Sequence, residues 1–390
     1  MNDSYDVVVV GGGAAGLSGA VALARSRRSV LVIDAGDPRN APASHVHNFL
    51  TRDGAPPAEI YAAGRGEVAR YGGRVETGRV TALGQDGEWF RVETGRRPVA
   101  ARRLLVATGV RDELPDVPGL AARWGIDVLH CPYCHGWEVA GQRVGVLATG
   151  PMAVHQALLF RQLSPHVTLL QHTGPAPVGE QREQLDARGI AVTEGKVEQV
   201  EADARGLTGV QLSGGRRVAL DAVIVAPRMT ARAELLAPLG LKPAEVRLGE
   251  HVVGTRIEAD HTGATAVPGV WVAGNISDIQ AQVITSAAAG LTAGAAINFD
   301  LVLEEPGTPP APIGASPRPP SRLRPAKAAR RRAVPRGWSG RRARARGLRP
   351  GRAAPGPIRR TSQGRWPAGC APGRWCRSAR ARHHRSGRPG

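Results

Sequence analysis

Residues 5–10 (YDVVVV) run straight into Gly11-Gly12-Gly13-Ala14-Ala15-Gly16, and this junction constrains the fold more than any other stretch. A short β-branched run suits a fully buried parallel strand. The spacing Gly11-x-Gly13-x-x-Gly16 then calls for a tight turn, a backbone that a pyrophosphate can approach, and a helix packed close on a sheet. Residues 16–25 (GLSGAVALAR) have the small residues and apolar spacing for that helix, and residues 30–33 predict the next strand. Asp34 lies 18 residues past Gly16, at the strand end where an acidic side chain binds ribose hydroxyls. Residues 5–34 therefore read as one dinucleotide-binding βαβ unit, with Gly11, Gly13, Ala14, Gly16 and Asp34 as cofactor-binding residues. The alternative is a glycine turn that serves only helix–sheet packing.

A loop at 36–57, rich in Pro, Asn and His, leads to a helix expected at 58–71. Strands are expected near 75–83, 88–93 and 99–106, and the run 104–109 (LLVATG) stops at a glycine. A second βαβ unit follows, with a strand at 143–147, a helix at 153–163 and a strand at 166–170. Strands near 190–200, 208–212 and 217–226 complete a smaller sheet, and a buried strand at 270–273 precedes a helix from about 280 to 298.

The second unit is a poorer nucleotide site. Its loop reads Ala148-Thr149-Gly150-Pro151-Met152-Ala153, so an alanine β-carbon crowds the turn where a pyrophosphate approaches. Its second strand ends in Gln171-His172-Thr173, with no acid for a 2′-hydroxyl and no arginine for a 2′-phosphate. Arg161 and Arg182 are the cations that could stand in. A nicotinamide site at Gly150 and Ala153 and a scaffold without one are both open readings.

Between the two units lies Cys131-Pro132-Tyr133-Cys134-His135-Gly136. The thiolate is the attacking species, and CxxC cysteines gain thiolate character from a helix N-terminus or a nearby cation. Cys131 and Cys134 therefore read as a redox pair. His135 could stabilise a thiolate as imidazolium or shuttle its proton; the bland alternative is a surface turn histidine. C-x-x-C-H is also a c-type haem attachment signature, but that requires export. No basic and apolar leader opens the chain, so a reducing, cytoplasmic setting is expected. Structural zinc needs two further ligands, and Cys370 and Cys376 are too distant, so no metal is expected.

The net charge of +19 invites a nucleic-acid reading, yet residues 306–390 hold 23 Arg plus Lys and no Asp or Glu. The preceding 305 residues keep 29 basic against 33 acidic, a mildly acidic body long enough for one large domain or two medium ones. The Arg/Pro/Gly-rich remainder has no hydrophobic period and is expected to be disordered and dispensable for catalysis. It would touch nucleic acid only if it is a genuine segment rather than a frameshift product. No apolar run in the sequence reaches the ~20 residues of a membrane helix, so no membrane contact is expected.

With these motifs assembled, residues 4–304 resemble the low-molecular-weight thioredoxin reductase family, in its divergent CPYCHG-type branch of FAD/NAD(P)-dependent pyridine nucleotide-disulfide oxidoreductases. The resemblance implies an α/β fold of two Rossmann-like domains, the second inserted into the first. It implies FAD segments at 1–114 and 248–305 around an inserted NAD(P)-type domain at 115–247. It also implies that Cys134 faces the flavin while Cys131 attacks the substrate disulfide. The family's late flavin motif corresponds to Gly269-Val270-Trp271-Val272-Ala273-Gly274-Asn275, and its Arg-Gln-Ala to Ala281-Gln282-Val283. Asn48, Thr108, Gly109, Gly274, Asn275 and Gln282 thereby join the FAD-binding set. Four departures stand out: Asn275 for aspartate, His135 for the usual acid, Ala148 for glycine, and Gln171-His172-Thr173 for the His-Arg-Arg that selects NADPH. The expected activity is FAD-dependent thiol–disulfide exchange, reductase-like and fed by NADPH or NADH. The alternatives are an oxygen-dependent dithiol oxidase and a non-catalytic flavin sensor or scaffold. The implied partners are a thioredoxin-like protein or a small dithiol or disulfide, and a second copy in a homodimer.

Overall fold

The computed structural model describes residues 4–305. The expectations for residues 306–390, Cys370 and Cys376 included, lie outside the described residues.

The opening run forms the centre of a seven-stranded sheet, ordered Arg74–Thr77, Val30–Asp34, Ser4–Val10, Val99–Val106, Trp89–Thr94, Val80–Asp86. Ser4–Val10 pairs in parallel with both neighbours. The far side of Val99–Val106 is shared, its start by antiparallel Trp89–Thr94 and its end by parallel Val270–Val272. A strand that begins 164 residues after Val106 thus joins the sheet alongside Val99–Val106. Val7 and Val9 face one hydrophobic layer and Val8 and Val10 the other, which is why this strand carries no polar alternation.

A second sheet is wholly parallel, ordered Ala191–Thr193, Val167–Leu170, Val144–Leu147, Ala222–Val225, Val128–Leu129. Beside it lies an antiparallel meander of Val197–Asp203, Gly206–Leu212 and Arg217–Ala219. A four-stranded linking sheet, Ala244–Leu248, His251–Arg256, Arg228–Ala231, Val110–Glu113, straddles both expected junctions, at 114/115 and 247/248. These strands, and the helix Glu180–Ala187, were not expected from the sequence.

The first helix, Ala14–Arg25, crosses the last, Val283–Glu304, so closely that a β-carbon on Gly290 would sit 2.0 Å from the Ala15 carbonyl oxygen. The last helix corrects one expectation. At 22 residues it is long and apolar enough to cross a membrane. Here its inner face is instead packed as core, with Ala293, Ile297 and Leu301 fully buried. Its C-terminal turn is clasped to the sheet: Arg103 pairs with Asp300 and Glu304, and Arg102 with Asp6, Glu304 and Glu305.

Candidate active site

One cavity of about 890 Å³ runs from the glycine loop to the cysteine pair. At one end, Gly11 (φ 109°) lies so close to the next strand's exit that a β-carbon would stand 2.5 Å from the Ala107 carbonyl oxygen. A β-carbon on Gly16 would strike the Gly11 carbonyl oxygen, whereas one on Gly13 meets no atom within 4 Å. The loop is therefore tight behind and open in front. No side chain caps the helix that follows, which leaves its first amides free for an anion. Asp34 accepts hydrogen bonds from the Gly12 and Gly36 amides (3.3 and 3.1 Å), which fix its carboxylate at the strand end.

At the other end, Cys131 caps a single helical turn, Pro132–His135, and its sulfur stands 2.8 Å from that of Cys134. The Cys134 thiol and the Tyr133 and Cys134 amides donate toward the Cys131 sulfur and outweigh burial, lowering its pKa to about 7. The same hydrogen bond, with burial, holds the Cys134 thiol protonated well above the ordinary range. Burial lowers the pKa of His135 while Glu138 opposes it, which favours the neutral, proton-accepting ring.

The remaining expected residues divide. Ala14, Gly109, Gly274, Asn275 and Gln282 line the cavity. The Asn275 amide is also engaged behind the wall, donating to the Ala281 carbonyl at 2.8 Å. Thr108 lines it too, but its hydroxyl donates to the Arg232 carbonyl at 2.7 Å, so it positions a residue rather than offering a free donor. Asn48 lies outside the wall. Its backbone is left-handed (φ 58°), with its amide donated to Asp53, and its side chain donates to the Tyr133 carbonyl at 2.6 Å. It ties the loop to the cysteine turn, as does His47, which contacts Glu138 at 3.1 Å and Asp53 at 3.4 Å.

Gly150 and Ala153 are not part of this cavity's wall, and Ala153 is packed into the core of the second sheet. Behind their loop the Gly174 amide donates to the Ala148 carbonyl at 2.7 Å, and a β-carbon on Gly174 would stand 2.9 Å from that of Ala148, whereas one on Gly150 meets no atom within 4 Å. His172 (φ 44°) turns its ring back to accept the Val197 amide at 3.0 Å. Arg182 pairs with Asp186 and Arg161 donates to the Arg188 carbonyl. None of the side chains the sequence offers for a 2′-phosphate is held here as a free arginine fork.

Sequence reasoning missed Arg39, His130 and Arg232, all in the cavity wall. Arg39 makes a two-pronged ion pair with Asp112 at 2.8 and 2.6 Å. Burial pushes His130 down to about 4, and its Nδ1 is buried without a partner. Asn40 Nδ2 and Arg232 Nε are also buried and unpartnered. Three orphaned polar atoms along one wall are what a cavity built for a large polar ligand leaves when that ligand is left out. The glycine loop, Asp34 and these atoms fit a dinucleotide such as FAD.

A family model, pyridine nucleotide-disulphide oxidoreductase, matches residues 5–294. The thioredoxin reductase tcpT of Claviceps purpurea is 32% identical, over 77% of this chain and 95% of that protein. The thioredoxin reductase sirT of Leptosphaeria maculans is 29% identical, over 76% and 94%. The crystal structure of HlmI superimposes with a TM-score of 0.71 at 44% identity, over 77% of this chain and 93% of that one. The chain is an enzyme of the pyridine nucleotide-disulphide oxidoreductase family, with the fold and sequence pattern of its thioredoxin reductase-like members.

Proposed function

We propose that this enzyme catalyses FAD-dependent thiol–disulfide exchange through Cys131 and Cys134 on a small dithiol, a small disulfide or a thioredoxin-like protein. The observation that carries the reading is that the cysteine turn and the glycine loop open on one cavity. FAD, when bound, supplies a two-electron partner for the cysteine pair. Gly11, Gly13, Ala14, Gly16 and Asp34 would hold its adenosine diphosphate part, and Gly109, Gly274, Asn275 and Gln282 the remainder. The two sheets support an inserted 115–247 domain within a flavin domain of 1–114 and 248–305.

In the reducing direction the Cys131 thiolate attacks a substrate disulfide, whose S–S bond breaks as a mixed disulfide forms. Cys134 then loses its proton and displaces the second substrate sulfur, leaving a Cys131–Cys134 disulfide and a substrate dithiol. Run backwards, a substrate dithiol gives two electrons and two protons to the pair and leaves as a disulfide. His135, neutral beside the pair, takes and returns the proton.

A second reading reverses the direction. The alanine at 148, the turned-back His172 and the engaged Arg161 and Arg182 favour entry of electrons from a dithiol, with dioxygen leaving as hydrogen peroxide. Added anaerobically, a small dithiol should bleach the protein's visible absorbance, while NADPH and NADH act slowly and without preference. Air should then restore the colour with one peroxide per disulfide formed. Fast, saturable, NADPH-selective bleaching would restore the reductase direction; no bleaching by a dithiol would remove the exchange reading itself. The assembly belongs to the same proposal: the last helix presents an apolar outer stripe that supports a homodimer.

A further inference from the structure

Arg232 follows the linking strand Arg228–Ala231, and nothing in its local sequence marks it. Two bonds fasten its backbone across the fold: its amide donates to the Gly109 carbonyl at 3.0 Å, and its carbonyl accepts the Thr108 hydroxyl at 2.7 Å. Thr108 and Gly109 leave the strand beside the one that feeds the glycine loop, and their neighbour Ala107 is the residue against which Gly11 is pressed. The fastening therefore delivers a guanidinium into the same cavity wall as the loop. Its Nε is buried and has no partner. Its nearest carboxylate, Asp37, stands 3.7 Å away and is two-thirds exposed, a contact too long and too wet to satisfy a buried donor. Arg39, by contrast, has its Nε and one terminal nitrogen taken by Asp112. A planar guanidinium with an unfilled donor is the group best matched to a phosphate oxygen.

We propose that Arg232 is an anion clamp for the diphosphate of the bound dinucleotide, set in place by Thr108 and Gly109. The clamp comes from the linking sheet and lines the same cavity as the first βαβ unit's amides. Those amides and Arg232 then share one dianionic group, and neither has to carry its charge alone. The inference rests on the FAD reading above.

The test uses apoprotein titrated with three probes: FAD and ADP-ribose, which carry the diphosphate, and riboflavin, which does not. Arg232→Met should weaken FAD and ADP-ribose by a similar factor, roughly 10- to 100-fold, with riboflavin unchanged. Arg232→Lys keeps the charge without the fork and should fall between. Asp37→Ala should leave all three affinities unchanged. Equal weakening of the three probes in Arg232→Met, or of none, would make the residue structural and overturn the clamp. Should Arg232→Met fail to fold, the Arg232→Lys ratio of FAD to riboflavin affinity decides in the same way. A wild-type protein that binds none of the probes would remove the flavin reading and the clamp together, whereas one that binds FAD but shows no probe-selective loss removes the clamp alone.

Discussion

The sulfur of Cys131 receives a thiol and backbone amides at the start of a helical turn, and that local arrangement sets the order of chemistry at the pair. With its pKa near 7, the thiolate population of Cys131 rises through neutral pH, while Cys134 remains a thiol. Alkylation of the reduced protein should therefore label Cys131 first, with a rate that rises as pH increases through about 7. Cys134→Ala removes the thiol donor and should move that midpoint toward the ordinary thiol value. Cys131→Ser and Cys134→Ser should each abolish exchange and keep the flavin, since one thiol cannot cycle between dithiol and disulfide. Undiminished turnover in either variant would show the pair to be structural. The pair was legible in the sequence because its spacing is local. Arg232 was not, because its partner Thr108 lies 124 residues earlier in the chain and only the folded sheets bring them together. The misplacement of Asn48 has the same origin, in a contact with Tyr133 across 85 residues.

The last helix, Val283–Glu304, has two apolar faces, and only one of them is covered. Its inner face meets the first helix through Gly290 and Gly294, where any side chain would push the two apart. Its outer face carries Ile284, Leu291, Phe299, Val302 and Leu303, with Phe299 64% exposed. The first four recur at intervals of seven, eight and three residues and so form one stripe, with Leu303 at its edge. Covering a large apolar side chain contributes about 1.5–3 kcal/mol relative to leaving it in water, enough for a second copy to be held by a few of them. Phe299→Glu should turn a dimer into a monomer by light scattering, with flavin content retained because the inner face is untouched. A wild-type monomer at micromolar concentration, or a variant that remains dimeric, would refute this. The helix itself was anticipated from its composition, but its two faces were not. A run in which Ala, Leu and Gly occur on every side gives no amphipathic signal from which to choose the buried one.

At the scale of the whole molecule, the two βαβ units were readable because in each a short apolar strand runs into a helix and on to a second such strand. The linking sheet was not, since strands such as Arg228–Ala231 and Val110–Glu113 are four residues long and carry charges. Their identity as strands comes from one another, across more than a hundred residues. The helix Glu180–Ala187 buries only Leu185 and shows no apolar period either. What closes the molecule is the clasp at its last described turn. Arg103 has a side chain only 9% exposed and depends on Asp300 and Glu304 for its charge partners. A chain ended after Glu305 keeps every described strand and the whole clasp, and its net charge falls from +19 to −4. That truncation should retain flavin content and thiol exchange while losing salt-sensitive retention on a polyanion column, where 23 cations would otherwise act. Ending the chain at residue 299 instead removes both carboxylates from a buried guanidinium, a loss of about 3–5 kcal/mol when a buried pair is broken and less where, as here, the carboxylates are part exposed. The shorter chain should unfold at lower denaturant concentration than the longer one. Equal stability of the two, or loss of flavin from the chain ended after Glu305, would show that the clasp does not close the fold.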